Sequence, residues 1–170
     1  MLKNLKMYPS IMPHYTFSQI TVLVVLRVLI GWHFLYEGVV KILNPNWTSA
    51  GYLEESKWLF SNIFHWIINN PDVLRIVDLM NMCGLVAVGL GLITGCLTGF
   101  ACLGGMMLLF LYYVANPPLI GMNYSMPSEG SYLIVNKNLI ELVALALLVY
   151  FPSGNIIGID RLIFSEKKPE

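Results

Sequence analysis

Charge is what this chain has least of. Only 12% of its 170 residues are Asp, Glu, Lys or Arg, and ten basic side chains balance ten acidic ones. A neutral, charge-poor chain presents no basic field to a phosphate backbone, which excludes nucleic acid as a partner, and no acidic tail for basic partners. Cysteine is scarcer still. Cys83, Cys96 and Cys102 form no CxxC pair and all lie in apolar runs, where cysteine behaves as a small hydrophobe rather than a redox thiol. His14, His33 and His65 are scattered without ligand spacing, so no metal site is expected. Internal repeats and low-complexity tracts are absent. A cleaved signal peptide is not expected either, because Arg27 divides the first apolar run and no small-x-small site follows it closely.

What remains is apolar: 56% of the chain is hydrophobic. Between Leu79 and Ser128 there is no charged residue at all, room for two membrane crossings of about 20 residues each. Small and hydroxyl residues concentrate at Thr94-Gly95-Cys96-Leu97-Thr98-Gly99, the expected hairpin turn, and Asn116-Pro117-Pro118 ends the second arm. The spans expected from this pattern are 18–43, 73–94, 97–115 and 132–151. The last is drawn back to Tyr132 because Leu139 to Phe151 alone is too short for about 30 Å of hydrocarbon. Within 49–69, Tyr52, Leu59, Ile63 and Trp66 share one side of a helical wheel, with Glu54, Lys57, Ser61 and His65 opposite, which predicts an amphipathic interfacial helix carrying Trp47, Trp58 and Trp66 at headgroup depth, a loop helix packed on the bundle being the alternative. The fold expected is all-α: a single domain over 1–170, an integral membrane four-helix bundle with an extra interfacial helix in its first extracytoplasmic loop. Lys3 and Lys6 at one end, and Arg161, Lys167 and Lys168 at the other, place both termini in the cytoplasm.

Ionisable residues inside spans are costly in lipid and point to function by default. On the first span Arg27, Glu37 and Lys41 fall within an arc of about 80° at 100° per residue, a single polar stripe. Alternating helices gather Glu37 and Lys41, Asp78 and Asn81, and Asn136, Lys137, Asn138 and Glu141 into one layer at the extracytoplasmic side. The candidate polar site is therefore Glu37, Lys41, Asp78, Asn81, Asn138 and Glu141, with Arg27, Arg75 and Lys137 secondary; no catalytic residue is assigned. Two readings stay open: buried pairs that fix helix register, and a pocket for a ligand, quinone or proton, with the apolar stretch 119–126 as its lid. Gly84, Ala87, Gly91 and Gly95 form a small-residue strip, with Gly91 and Gly95 as a GxxxG pair for close helix packing beside Gly31 and Gly38.

Leu26-Arg27-Val28-Leu29-Ile30-Gly31, then Phe34-Leu35-Tyr36-Glu37-Gly38 and Lys41, the Gly84 to Gly95 arm, and the closing Gly154-Asn155-Ile156-Ile157-Gly158-Ile159-Asp160-Arg161-Leu162 resemble in order and spacing the DoxX family. These are small bacterial four-helix membrane proteins related to the DoxD subunit of thiosulfate:quinone oxidoreductase. The resemblance implies an inner-membrane subunit of a quinone-linked or thiol and sulfur redox system, quinone as a non-covalent cofactor, and a partner redox subunit or a homo-oligomer in the bilayer. The absence of paired cysteines argues against direct dithiol exchange. The alternative is a non-catalytic anchor, or a small-molecule or lipid-binding module of a larger complex; a transporter is disfavoured because four short spans without repeats leave little room for alternating access.

Overall fold

The computed structural model describes residues 15–119, 124 and 133–164. Among them every regular element is helical. Helix α1 (Phe17–Leu43) opens on a capping box: the Gln19 amide donates to the Thr16 hydroxyl at 3.3 Å, and the Thr16 amide donates to the Gln19 side chain at 2.9 Å. Its 27 residues reach about 40 Å before Asn44-Pro45 stops it. Two short helices, α2 (Ala50–Glu54) and α3 (Ser61–Ile68), lead to α4 (Pro71–Thr94). Proline opens α4, where its missing N–H would be unpaired anyway, and Gly95 ends it in the left-handed conformation at φ 67°. A tight turn delivers α5 (Thr98–Ala115), which stops at Asn116-Pro117-Pro118. Then come α6 (Lys137–Tyr150), a 3-10 turn (Ser153–Asn155) and α7 (Asp160–Phe164).

Helices α1, α4 and α5 are long and apolar enough to cross a membrane, and they correspond to the expected spans 18–43, 73–94 and 97–115. Their outward faces are apolar: Leu29, Leu79, Phe100 and Met107 are all exposed, a surface that suits lipid better than water. Inside, Ile30 and Phe34 of α1, Leu85, Val88 and Leu92 of α4, Cys102 and Leu109 of α5, and Leu145 and Leu148 of α6 form one core. α1 lies along α4, α4 along α5 and α5 along α6, whereas α1 and α6 touch more sparingly.

Two expected elements differ. The helix expected as a fourth span begins at Lys137, not near residue 132, and is not among those long enough to cross: Leu133 has φ 66°, and the Asn136 side chain accepts from the Leu139 amide, a cap that starts the helix there. Its 14 residues reach only about 21 Å. The interfacial segment 49–69 is also broken, into α2 and α3. Leu53 and Phe64 both reach Ala115 in a second small core, and a continuous helix would hold them about 16 Å apart along its axis. Tyr52 turns inward, while Leu59, Phe60, Ile63 and Trp66 stay exposed. The terminal lysines, His14 and Tyr132, and most of the stretch 119–126, lie outside the described residues.

The closest helix contact is not the expected GxxxG pair. A Cβ on Gly89 would stand 2.5 Å from the Leu35 amide nitrogen and 2.8 Å from the Gly31 carbonyl, so α1 and α4 meet backbone to backbone there. Gly31 and Gly38 are equally filled from the α1 side. Gly91 faces Ala101, Gly95 is the helix cap, and Gly84 has only ordinary contact with Leu108 at 3.6 Å. In lipid, where apolar surface has no water to escape, such packing is the main source of association. Gly89→Ala should therefore destabilise the detergent-solubilised protein by about 1–3 kcal/mol in a denaturant titration. Gly84→Ala and Gly99→Ala, the latter pointing into open space, should leave the midpoint unchanged or raised.

Candidate functional site

The polar side chains expected to form one layer divide among three places. At the end where α1 stops, α4 starts and α5 stops, the Lys41 ammonium donates to Asn81 Oδ1 at 3.4 Å and lies 3.8 Å from Glu37 Oε2. The rings of Trp47 and Tyr112 close over the same ammonium at 5.0 and 5.4 Å, within cation–π range. Asn81 donates to the Tyr112 hydroxyl at 2.6 Å, the Tyr52 hydroxyl donates to the Tyr112 carbonyl at 2.8 Å, and Asn116 donates to the Tyr52 carbonyl at 2.9 Å. Burial, reinforced by the neighbouring Tyr112, pushes the Tyr52 phenol well above the ordinary tyrosine range. Asp78 stands apart from this chain of bonds. Its Oδ1 accepts from both the amide and the hydroxyl of Ser49, so that it holds the start of α2 against α4. These groups fasten α2 and the helix ends together.

Arg27 serves the other end. It is 2% exposed, and its guanidinium donates to the Ile157 carbonyl at 2.8 Å and more loosely to the Ser153 hydroxyl at 3.4 Å. Asp160, 3% exposed, attracts the guanidinium electrostatically and accepts from the Leu97 and Thr98 amides at 2.6 and 2.8 Å, so it caps α5 from a distant part of the chain. The Ile159 and Asp160 amides donate to the Thr94 and Gly95 carbonyls. The tail is thus pinned beneath the α4–α5 turn, and Gly154 and Gly158 are the residues that let it lie so close.

Between these two ends lies a third cluster. His33 Nδ1 and Glu141 Oε1 share a hydrogen bond of 2.8 Å across the sparsely packed seam of α1 and α6. By helical rise His33 stands about 9 Å from Arg27 and about 12 Å from Lys41 along α1. The Glu141 side chain is 10% exposed and that of His33 30%. Glu141 Oε2 is buried without a hydrogen-bond partner, the one carboxylate oxygen among the described residues in that state. Asn138 is half-buried one turn earlier on α6, and Arg75 and Lys137 are exposed.

The expected site residues therefore separate. Lys41 meets both Glu37 and Asn81; Asp78 joins Ser49, Glu141 joins His33, and Arg27 joins the tail. His33 was legible: on the wheel it sits 40° beyond Glu37 and extends the same stripe, at the spacing of four that Glu37 keeps with Lys41. Tyr112 and Asp160 carried no such signal, since one lies in an uncharged run and the other beyond the last span. The clasp at Asp160 has a measurable weight. Asp160→Ala leaves two buried amides and a buried guanidinium without their acceptor or counter-charge, and should cost about 3 kcal/mol in detergent unfolding, against about 1 kcal/mol for Asp160→Asn, which keeps one acceptor. No family model, no curated protein and no solved structure matches this chain.

Proposed function

We propose that the chain is a DoxX-type four-helix membrane module of the bacterial inner membrane, with both termini cytoplasmic and α2 and α3 resting at the outer headgroup level. In this reading the seam between α1 and α6 receives the polar head of a lipid-soluble quinone, and a partner subunit supplies the electrons. The observation that carries it is the His33–Glu141 pair, an imidazole beyond the midpoint of α1 and a carboxyl group one turn into α6, with one carboxylate oxygen unspent. A quinone head needs such groups, one to hydrogen-bond its oxygen and one to exchange a proton with it. Access from lipid is supported by the partial exposure of His33 and by the exposed neighbours Trp32 and Ile140. A shallow apolar groove lined by Val135, just before α6, and by Leu139, Ile140 and Val143 on the same helix as Glu141 suits a prenyl tail.

The second reading, a non-catalytic anchor or lipid-binding module, is favoured by how fully Lys41, Asp78 and Asn81 are used in joining elements. The exposed face of Leu59, Phe60, Ile63 and Trp66 is then its docking surface.

Photo-cross-linking with an azido-quinone in nanodiscs separates the two. Label should map to peptides of α1 and α6, and His33→Phe should weaken capture about tenfold, the loss of one hydrogen bond of about 1.4 kcal/mol. Label spread evenly over lipid-facing peptides, unchanged by His33→Phe, would exclude the quinone seam and leave the anchor.

A further inference from the structure

We propose that His33 and Glu141 act together as a proton-binding site inside the membrane, with Glu141 Oε2 as the atom that takes up and releases the proton. This rests on reading the α1–α6 seam as the site, but not on quinone as its occupant.

The argument begins from valence. One oxygen of Glu141 is already bound to His33 Nδ1 at 2.8 Å, and the other is buried with nothing to bond. A carboxylate in apolar surroundings needs donors on both oxygens, and an unmet one is the atom on which a proton relieves the cost. An imidazole has a nitrogen on which a proton can be held and passed on, and the His33 ring is the partly accessible member of the pair. A proton arriving on the imidazole can therefore pass from Nδ1 to Oε1, and a half-turn of the carboxyl group carries it to the unbonded position now held by Oε2, from which it leaves to the oxygen of a water molecule or of a bound carbonyl compound; the imidazole is then free to be protonated again. Only a proton moves, so no oxidant or reductant is required.

The other ionisable groups on the packed helices have separate roles. On α1, Glu37 faces Lys41 and Arg27 is turned to the tail. On α4, Asp78 holds Ser49, while Asp72 and Arg75 are exposed. On α5, the Tyr112 hydroxyl accepts from Asn81, the Tyr113 hydroxyl donates to the Ile134 carbonyl, and Cys102 is buried in the core. Lys137 lies one turn before Glu141 on α6, exposed.

A lipid-soluble carbodiimide reports on such a group, because it adds only to a protonated carboxyl reached through the apolar phase. The full-length protein in nanodiscs, without quinone, is treated with dicyclohexylcarbodiimide across a pH series and mapped by peptide mass spectrometry. Glu141 should be modified, progressively less as pH rises, and ahead of Glu37, whose side chain is 47% exposed. His33→Gln should raise the labelling rate at pH 7 about tenfold, since the carboxyl group has lost the imidazole with which it shares its proton. Infrared spectroscopy of the unmodified protein supplies a second readout: a protonated-carboxyl band that Glu141→Gln removes. An unlabelled Glu141 with no such band overturns the proposal, as does labelling that His33→Gln leaves unchanged. Absence of quinone capture with labelling intact removes only the proposed occupant.

Discussion

A guanidinium buried in an apolar helix has to be met by oxygen, and in this protein that need dictates how the chain ends. Arg27 sits about 15 Å inside α1, level with the α4–α5 turn at Gly95. No side chain of α4, α5 or α6 bonds it. The carbonyl of Ile157 and the hydroxyl of Ser153 do, which brings the tail back beneath the turn. Once there, Asp160 caps α5 and the tail amides meet the free carbonyls of α4. One buried charge thus organises the first helix, the hairpin turn and the last segment together. Truncating α4 and α5 at that level, with the tail as a plug, avoids leaving helix-end groups unpaired in an apolar setting.

The same requirement sorts the remaining polar groups. At the opposite end Lys41 is enclosed by two rings and an amide, and Asp78 Oδ1 takes both bonds from Ser49; these bonds connect α1, α2, α4 and α5. Their chemistry is absorbed by architecture. The His33–Glu141 pair differs because it crosses a sparsely packed helix interface and leaves a carboxylate oxygen without a donor. A group that stability does not use is where chemistry has room, and here it lies within reach of lipid.

Much of this could be read along the chain. Uncharged length, Asn44-Pro45, the glycine-rich turn and Asn116-Pro117-Pro118 mark three spans because hydrocarbon demands long apolar helices and proline ends them. The polar stripe of Arg27, Glu37 and Lys41 on α1 was equally visible, but His33, set aside as a scattered histidine, was not assigned to it although the same spacing of four reaches it. The start of α6 was not, because an asparagine that looks like one more polar residue entering the membrane is in fact a helix cap. The break between α2 and α3 was hidden too, since wheel periodicity cannot register that Leu53 and Phe64 must converge on Ala115. Small residues were recognised as packing sites, yet Gly89, outside the GxxxG pair, makes the closest contact between the long helices.

By itself the sequence determined the apolar character of the chain, three of its long helices and the identity of the ionisable groups that must be sheltered, because these follow from composition and from periods intrinsic to a helix; the length of the fourth helix it overstated. Only the tertiary structure decided which of those groups meet. Partners such as His33 and Glu141, or Arg27 and Ile157, lie more than a hundred positions apart. Their pairing depends on helix depth, rotation and the backbone approach of α1 to α4, none of which has a local signature.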